Sequence, residues 1–345
     1  MSITLADVLN DPRLYLYEID ADSAHFLQMK REDYLRSIFL DGRIRHAGAP
    51  PIQAPLNQLL SGYENAPGET RSIGWIFHIA QCGSTLLARA LDHPGRSLVL
   101  REPAALRRVG IRAGGSGQLD EMGERLLPMV RHALAKRWEQ GAPLVIKGTV
   151  PVNFIADRLM RIEPEAPAVM LYFPLSNYVA ATLRTPGHVD WTERVFDEMR
   201  MADSEWCEHA AANSPAEKAA ALWLSQMILY SRLLDEFPNV YSLHAAEIFD
   251  NAEDTVIAAA ELFGVSLRPG EAREICESEL YHSYSKNPAL DYDPEVRLAR
   301  EAESIARLEK EIAAAHAWAA QAAEKFALPE RFSKPLVGDA PRLLQ

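Results

Sequence analysis

Cysteine is scarce in this chain. Cys82, Cys207 and Cys276 are the only three among 345 residues, widely spaced and without a CxxC pair, which argues against a disulfide framework and against a zinc cluster. No metal site is legible. Long hydrophobic runs are also lacking, since none approaches the roughly 20 residues that span a bilayer. The first residues, with Asp7 and Asp11, do not form a basic start followed by an apolar core. The expectation is a cytoplasmic protein with neither export signal nor membrane anchor. Positive charge is in deficit, with 36 Lys and Arg against 48 Asp and Glu and a net charge of -12, which sets the surface against non-specific binding to nucleic acid or anionic membranes. Any anion site must therefore be a local basic pocket in an acidic protein. A last absence is local: the Lys of the GxxxxGK[ST] phosphate loop is missing, and nothing cationic lies between Trp75 and Leu87.

What is present is an ordinary globular composition, 48% hydrophobic and 24% charged, organised around Trp75 to Leu91. The β-forming run Trp75, Ile76, Phe77, Ile79 ends at a short loop, Ala80 to Gly83. Ser84 and Thr85 then open the helical pattern Leu86, Leu87, Ala90, Leu91. A strand, tight loop and helix in that order leave the first helical N-H groups unpaired, and Gly83 lets an anion approach the backbone. The same residues also fit an ordinary strand-turn-helix in which Ser84 caps the helix.

Further strands are expected at Ser97 to Leu100, Leu144 to Ile146, Ala168 to Phe173 and Val240 to His244. Helical patterns separate them at Leu119 to Trp138, Val152 to Arg161, Asn177 to Arg184, Asp190 to Met201 and Glu217 to Glu236, and Glu253 to Phe263 follows the last. The alternation predicts an α/β fold, a doubly wound, mostly parallel sheet with a P-loop-like strand-loop-helix and helices on both faces, whose ligands bind at the carboxyl ends of the strands. Arg101, Glu102 and Lys147 follow such ends and are expected beside the loop. Residues 1–70 read as an N-terminal extension packed on a core of residues 71–290. In 291–345 one long helix, Asp293 to Phe326, carries the stripe Ile305, Leu308, Ile312, Ala315, Ala319, a surface through which a homodimer could form.

Three segments together resemble the sulfotransferase family, P-loop-like enzymes that transfer a sulfuryl group from 3'-phosphoadenosine 5'-phosphosulfate (PAPS). The segment AQCGSTLLARAL with LVLREP resembles the family's 5'-phosphosulfate loop and the acidic residue after the next strand. VIKGTVPVNFIADRLMRIEPEAPAVMLYFPLSNYVAATLR resembles the stretch that supplies a catalytic Lys and the 3'-phosphate site. VYSLHAAEIFDNAEDTVIAAAELFGV resembles a late strand, acidic turn and helix. The resemblance implies Glu102 as catalytic base, Lys147 as catalytic cation, and donor contacts from Gln81, Cys82, Gly83, Ser84, Thr85 and Leu86. Where the family has a basic loop residue this chain has Gln81, and where it has the Arg and Ser of the 3'-phosphate site this chain has Tyr172 and Ala180. Thr182, Arg184, Ser176 and Asn177 lie near enough in sequence to substitute, and Lys286 sits where the family places a basic loop over the nucleotide. The acceptor implied is the hydroxyl or amine of a small molecule or peptide.

Each of these residues also has a plainer role. Glu102 can be a structural ion-pair partner of Arg101 or Lys147, Cys82 a small filler of a tight loop, and Lys286 a solvated loop cation. His78 reads as a core histidine. At the level of the whole chain, a nucleotide-dependent transferase such as a kinase with a different donor, or a non-catalytic nucleotide-binding relative, stays open beside the sulfotransferase reading.

Overall fold

The computed structural model of the protein describes residues 3–345 except 47, 49, 209, 285, 286, 292 and 293. The N-terminal extension holds more regular structure than its mixed pattern announces. Helix α1 (Leu5–Asn10) starts at a Thr4–Asp7 capping box, and β1 (Leu14–Ile19) and β2 (Ser23–Gln28) form an antiparallel hairpin. The turn is closed by Asp20, whose Oδ1 accepts the N-H groups of Asp22 and Ser23, the backbone-mimicking turn that Asp favours. After α2 (Arg31–Arg36), β3 (Ile52–Pro55) pairs with β2, and α3 (Leu56–Asn65) completes the segment. The sequence does not announce β3, because Ile52–Pro55 lies within the Gly- and Pro-rich stretch Ala47 to Pro55, which reads as loop.

The core opens with β4 (Gly74–His78), the loop, α4 (Ser84–Ala90), β5 (Leu98–Arg101), α5 (Ala104–Ala113), α6 (Glu121–Leu134) and β6 (Leu144–Lys147). It continues with α7 (Val150–Asn153), α8 (Ala156–Ile162), β7 (Ala168–Tyr172), α9 (Leu175–Thr182), α10 (Pro186–Glu198), α11 (Pro215–Glu236), β8 (Val240–His244), α12 (Glu247–Asp250) and α13 (Ala252–Phe263). The five strands β4 to β8 form one sheet in the order β5-β6-β4-β7-β8, every neighbouring pair parallel. All residues of β4, β5, β6 and β7 are buried, as expected of parallel strands covered on both faces. The expected α/β sheet with helices on both sides is therefore present. With right-handed crossovers, the path from β4 to β5 runs one way across the sheet, while those leaving β6 and β7 run the other way. The chain thus diverges at the carboxyl end of β4, and a crevice opens there.

Several local expectations are corrected. The helix expected over Val152 to Arg161 is broken between α7 and α8. The single C-terminal helix is two, α16 (Pro294–Arg307) and α17 (Glu309–Phe326), which follow the short α14 (Glu271–Cys276) and α15 (Glu279–His282) and part at Leu308. Ala315 and Ala319 of the stripe, with Trp318 and Ala322, are buried, where α17 packs on α11 and α9. That face is thus covered by the chain itself. Among the described residues, no helix is long and apolar enough to cross a membrane.

Buried cations join the extension to the core. Arg101, expected beside the loop, instead turns away from it. Its guanidinium pairs with Asp92 at 2.5 Å and donates to the carbonyls of Tyr34, Ser37 and Ile38, while Arg31 of the extension reaches the same Asp92 at 2.6 Å. Lys136, just past α6, is buried and donates to the carbonyls of Val8 and Leu14. Its burial pushes the ammonium down to about 7 from the usual 10.5. Below pH 7 both folded and unfolded chains hold that proton. Above it the folded chain releases the proton, while the unfolded chain keeps it up to about 10.5, so this group makes stability rise with pH across that window, by about 1.4 kcal/mol per unit. In Lys136→Met this rise should vanish: the difference in urea-unfolding free energy between wild type and variant should shift in favour of wild type from pH 7 to pH 9. An unchanged difference would show that Lys136 holds its proton throughout.

Candidate active site

The carboxyl ends of β4, β5 and β6 bring three polar side chains together. Lys147, the last residue of β6, is fully buried, and its Nζ donates to Oε1 of Glu102 at 2.5 Å. Glu102 follows β5 with φ of 59°, a left-handed conformation that costs a non-glycine residue about 1–2 kcal/mol. Its N-H donates to the Lys147 carbonyl at 2.8 Å, so the backbone of β6 holds the turn that presents the carboxylate. The Glu102 side chain keeps 16% of its surface exposed. Oε2 faces Arg43 at 3.4 Å, and the Arg43 guanidinium lies 3.7 Å over the Phe39 ring and pairs with Asp41. His78, at the end of β4, is the third. Its Nε2 is 2.9 Å from Lys147 Nζ and 2.7 Å from the Gly148 carbonyl, and its Nδ1 accepts the Ala80 N-H at 3.0 Å.

The loop itself is tighter than its sequence announces. Ala80 and Gln81 have φ of 70° and 52°, and Gly83 has 74°. Left-handed residues of this kind cluster at functional sites, where surrounding structure holds them. Gly83 is required by its own conformation and by its neighbours. A Cβ there would lie 3.2 Å from the Phe249 ring and 3.3 Å from Ile248, a tight contact with α12. Helix α4 is only seven residues long, which limits its dipole. Cys82 is 1% exposed, in keeping with the filler role.

These groups line a cavity of about 610 Å³ that extends over the loop to α9, α10 and α16. Gln81, Cys82, Gly83, Ser84, Thr85, Leu86, Glu102, Ala180 and Arg184 line it, and Lys147 lies directly behind Glu102. Thr182 does not. Its hydroxyl is buried and donates to the Tyr178 carbonyl within its own helix. Tyr172 is buried against Phe332 and His244 and is absent from the lining. Arg184 lies beyond the end of α9 rather than in its last turn. Lys286 falls outside the described residues.

Five arginines, Arg43, Arg107, Arg184, Arg194 and Arg297, line the cavity against three carboxylates, Asp41, Glu102 and Glu301. The local basic pocket required of an acidic protein is thus in place. Arg107 pairs with Glu198, and Arg297 with Asp250 at 2.6 Å. The guanidinium groups of Arg184 and Arg194 have no hydrogen-bond or ion-pair partner among the described residues. Three of the lining residues hold a buried polar atom without a hydrogen-bond partner among the described residues: Oγ1 of Thr85, Oγ1 of Thr149 and Nε of Arg297. Such atoms are costly unless a ligand or water satisfies them. Sequence reasoning missed Arg43, Arg107, Arg194 and Arg297, which come from four distant segments and carry no local signal. His78 could have been suspected as a polar residue closing an apolar strand. Among the described residues, no group of three or more His, Cys, Asp or Glu is placed to hold a metal ion.

No protein-family model matches the chain, and no curated protein does. Among solved structures the chain is similar to a sulfotransferase from Alicyclobacillus acidocaldarius, at 17% identity over 71% of this chain and 96% of that one, with a TM-score of 0.37. At that degree of superposition the likeness assigns neither a substrate nor a residue role.

Proposed function

We propose that the protein transfers a sulfuryl group from PAPS to a hydroxyl or amine acceptor, with Glu102 as general base and Lys147 as the cation that stabilises developing negative charge. The observation that carries the reading is the Lys147–Glu102 pair at the carboxyl edge of a parallel sheet, facing a cavity rich in arginine. A structural ion pair alone explains the contact but not the strained backbone that aims the carboxylate at the cavity. The donor's anionic groups fit the residues present. Thr85 and Thr149 offer unpaired hydroxyls, and Arg184 and Arg194 offer guanidinium groups with no protein partner among the described residues. Arg184 takes the place of the Arg and Ser that Tyr172 and Ala180 replace.

The chemistry follows from these placements. Glu102 takes the proton of the acceptor O-H or N-H as that atom forms its bond to sulfur, and the bond from sulfur to the donor's bridging oxygen breaks with its electron pair on the oxygen. The products are a sulfated acceptor and adenosine 3',5'-bisphosphate (PAP). Lys147 is drawn from Glu102 toward the developing charge, which frees the carboxylate to accept the proton. Because little covalent work falls to the protein, alignment and fixed charge supply the rate.

Calorimetric titration with PAP, PAPS and Mg-ATP tests the donor. Binding of PAP and PAPS with no binding of Mg-ATP is expected, and the reverse would favour a kinase-like transferase. Glu102→Gln should leave PAP affinity within a few-fold and lower turnover by about 100-fold or more, the usual share of a general base. A matched loss of PAP binding and thermal stability would instead make Glu102 structural. Arg184→Ala should weaken PAP binding by about 10-fold or more, the worth of a charge-assisted hydrogen bond, with its melting temperature unchanged. Unaltered affinity would remove Arg184 from the donor site.

A further inference from the structure

We infer that His78 is a positioning residue that fixes both the loop and Lys147 from one imidazole, each ring nitrogen holding a different half of the site. The inference rests on the proposed sulfuryl transfer for its kinetic consequences but not for its geometry. His78 is 4% exposed and closes β4, and its carbonyl accepts from Asn153 at 3.0 Å. The Ala80 N-H points at Nδ1, 3.0 Å away, so that nitrogen carries no proton. The proton of the neutral ring is therefore on Nε2, where it is donated to the Gly148 carbonyl at 2.7 Å.

Two consequences follow, one for each nitrogen. At Nδ1, the contact holds Ala80 in its left-handed conformation and so sets the direction in which the loop leaves the strand. At Nε2, the N-H is committed to the Gly148 carbonyl, so the ring offers no lone pair to the Lys147 ammonium 2.9 Å away. Its protons are therefore directed at Oε1 of Glu102, 2.5 Å away. An imidazole of the other tautomer would compete with Glu102 for Lys147 and release the loop. A merely buried histidine needs one satisfied partner per nitrogen. Here those partners are the backbone of the loop and the residue that follows the catalytic lysine.

Two isosteric variants separate the halves. Asn at position 78 keeps an acceptor near Nδ1 but is too short to reach Gly148 or the side of Lys147. Gln keeps a donor near Nε2 but offers Ala80 no acceptor. His78→Asn should keep PAP affinity within about threefold and lose 10-fold or more in turnover at saturating donor. His78→Gln should keep turnover at saturating donor and lose 10-fold or more in PAP affinity. Losses that track melting temperature equally in both variants would overturn the assignment. A third readout needs no turnover: long-range 1H–15N correlation of histidine-labelled protein at neutral pH should show His78 as the neutral Nε2-H form. The Nδ1-H form or an imidazolium would overturn the inference. A wild-type protein that shows the Nε2-H form but neither binds PAP nor turns over PAPS would sink the reaction and leave the tautomer standing.

Discussion

The structure turns on an ammonium held without water. Lys147 is fully buried at the end of a strand that is itself buried on both faces, and a charge in such a place persists only with a carboxylate beside it. Glu102 supplies that carboxylate by adopting a backbone conformation that most residues avoid. The turn after β5, the hydrogen bond from Glu102 to the Lys147 carbonyl and the imidazole on the far side of the ammonium all serve to keep this one pair in register. Lys147 and Glu102 are separately encoded, in strands that are neighbours only because β6 lies between β5 and β4.

Much of this frame is legible in the sequence. Apolar runs punctuated by helical patterns mark all five strands of the sheet, because a strand covered on both faces has to be apolar throughout. Glu102 and Lys147 are legible for the related reason that a charged residue directly after such a run must lie at the sheet's carboxyl edge. Arg101 obeys the same rule in sequence and breaks it in space, since side chains alternate along a strand and its own points to the opposite face, toward Asp92. The four other arginines of the cavity are invisible to any local pattern. Arg43 comes from the extension, Arg107 from α5, Arg194 from α10 and Arg297 from α16, each from a segment that reads as an unremarked charged surface. The strain at Ala80 and Gln81 is equally hidden, because neither residue type signals a positive φ.

The net charge of the chain and the charge of its cavity have opposite signs, and the difference has a physical use. A ring of arginines in a molecule of charge -12 attracts anions at one place and repels them elsewhere. Two of those arginines have no carboxylate partner among the described residues, whereas Arg297 is pinned between Asp250 and Glu301. The pinned guanidinium shapes the wall, and the unpinned ones are available to a ligand.

The extension contributes Phe39, Asp41 and Arg43 to the cavity, and it is attached both by its side chains, as in the Arg31–Asp92 pair, and by its backbone. Lys136 and Arg101 reach into it for the carbonyls of Val8, Leu14, Tyr34, Ser37 and Ile38. Carbonyl oxygens are the same in every residue. At those five positions the core grips the path of the chain rather than its side chains, so this part of the grip does not depend on which residue supplies the carbonyl. The residues of the wall itself, Phe39, Asp41 and Arg43, can thus be exchanged without touching those carbonyl contacts, while the charged pair behind the wall stays as it is.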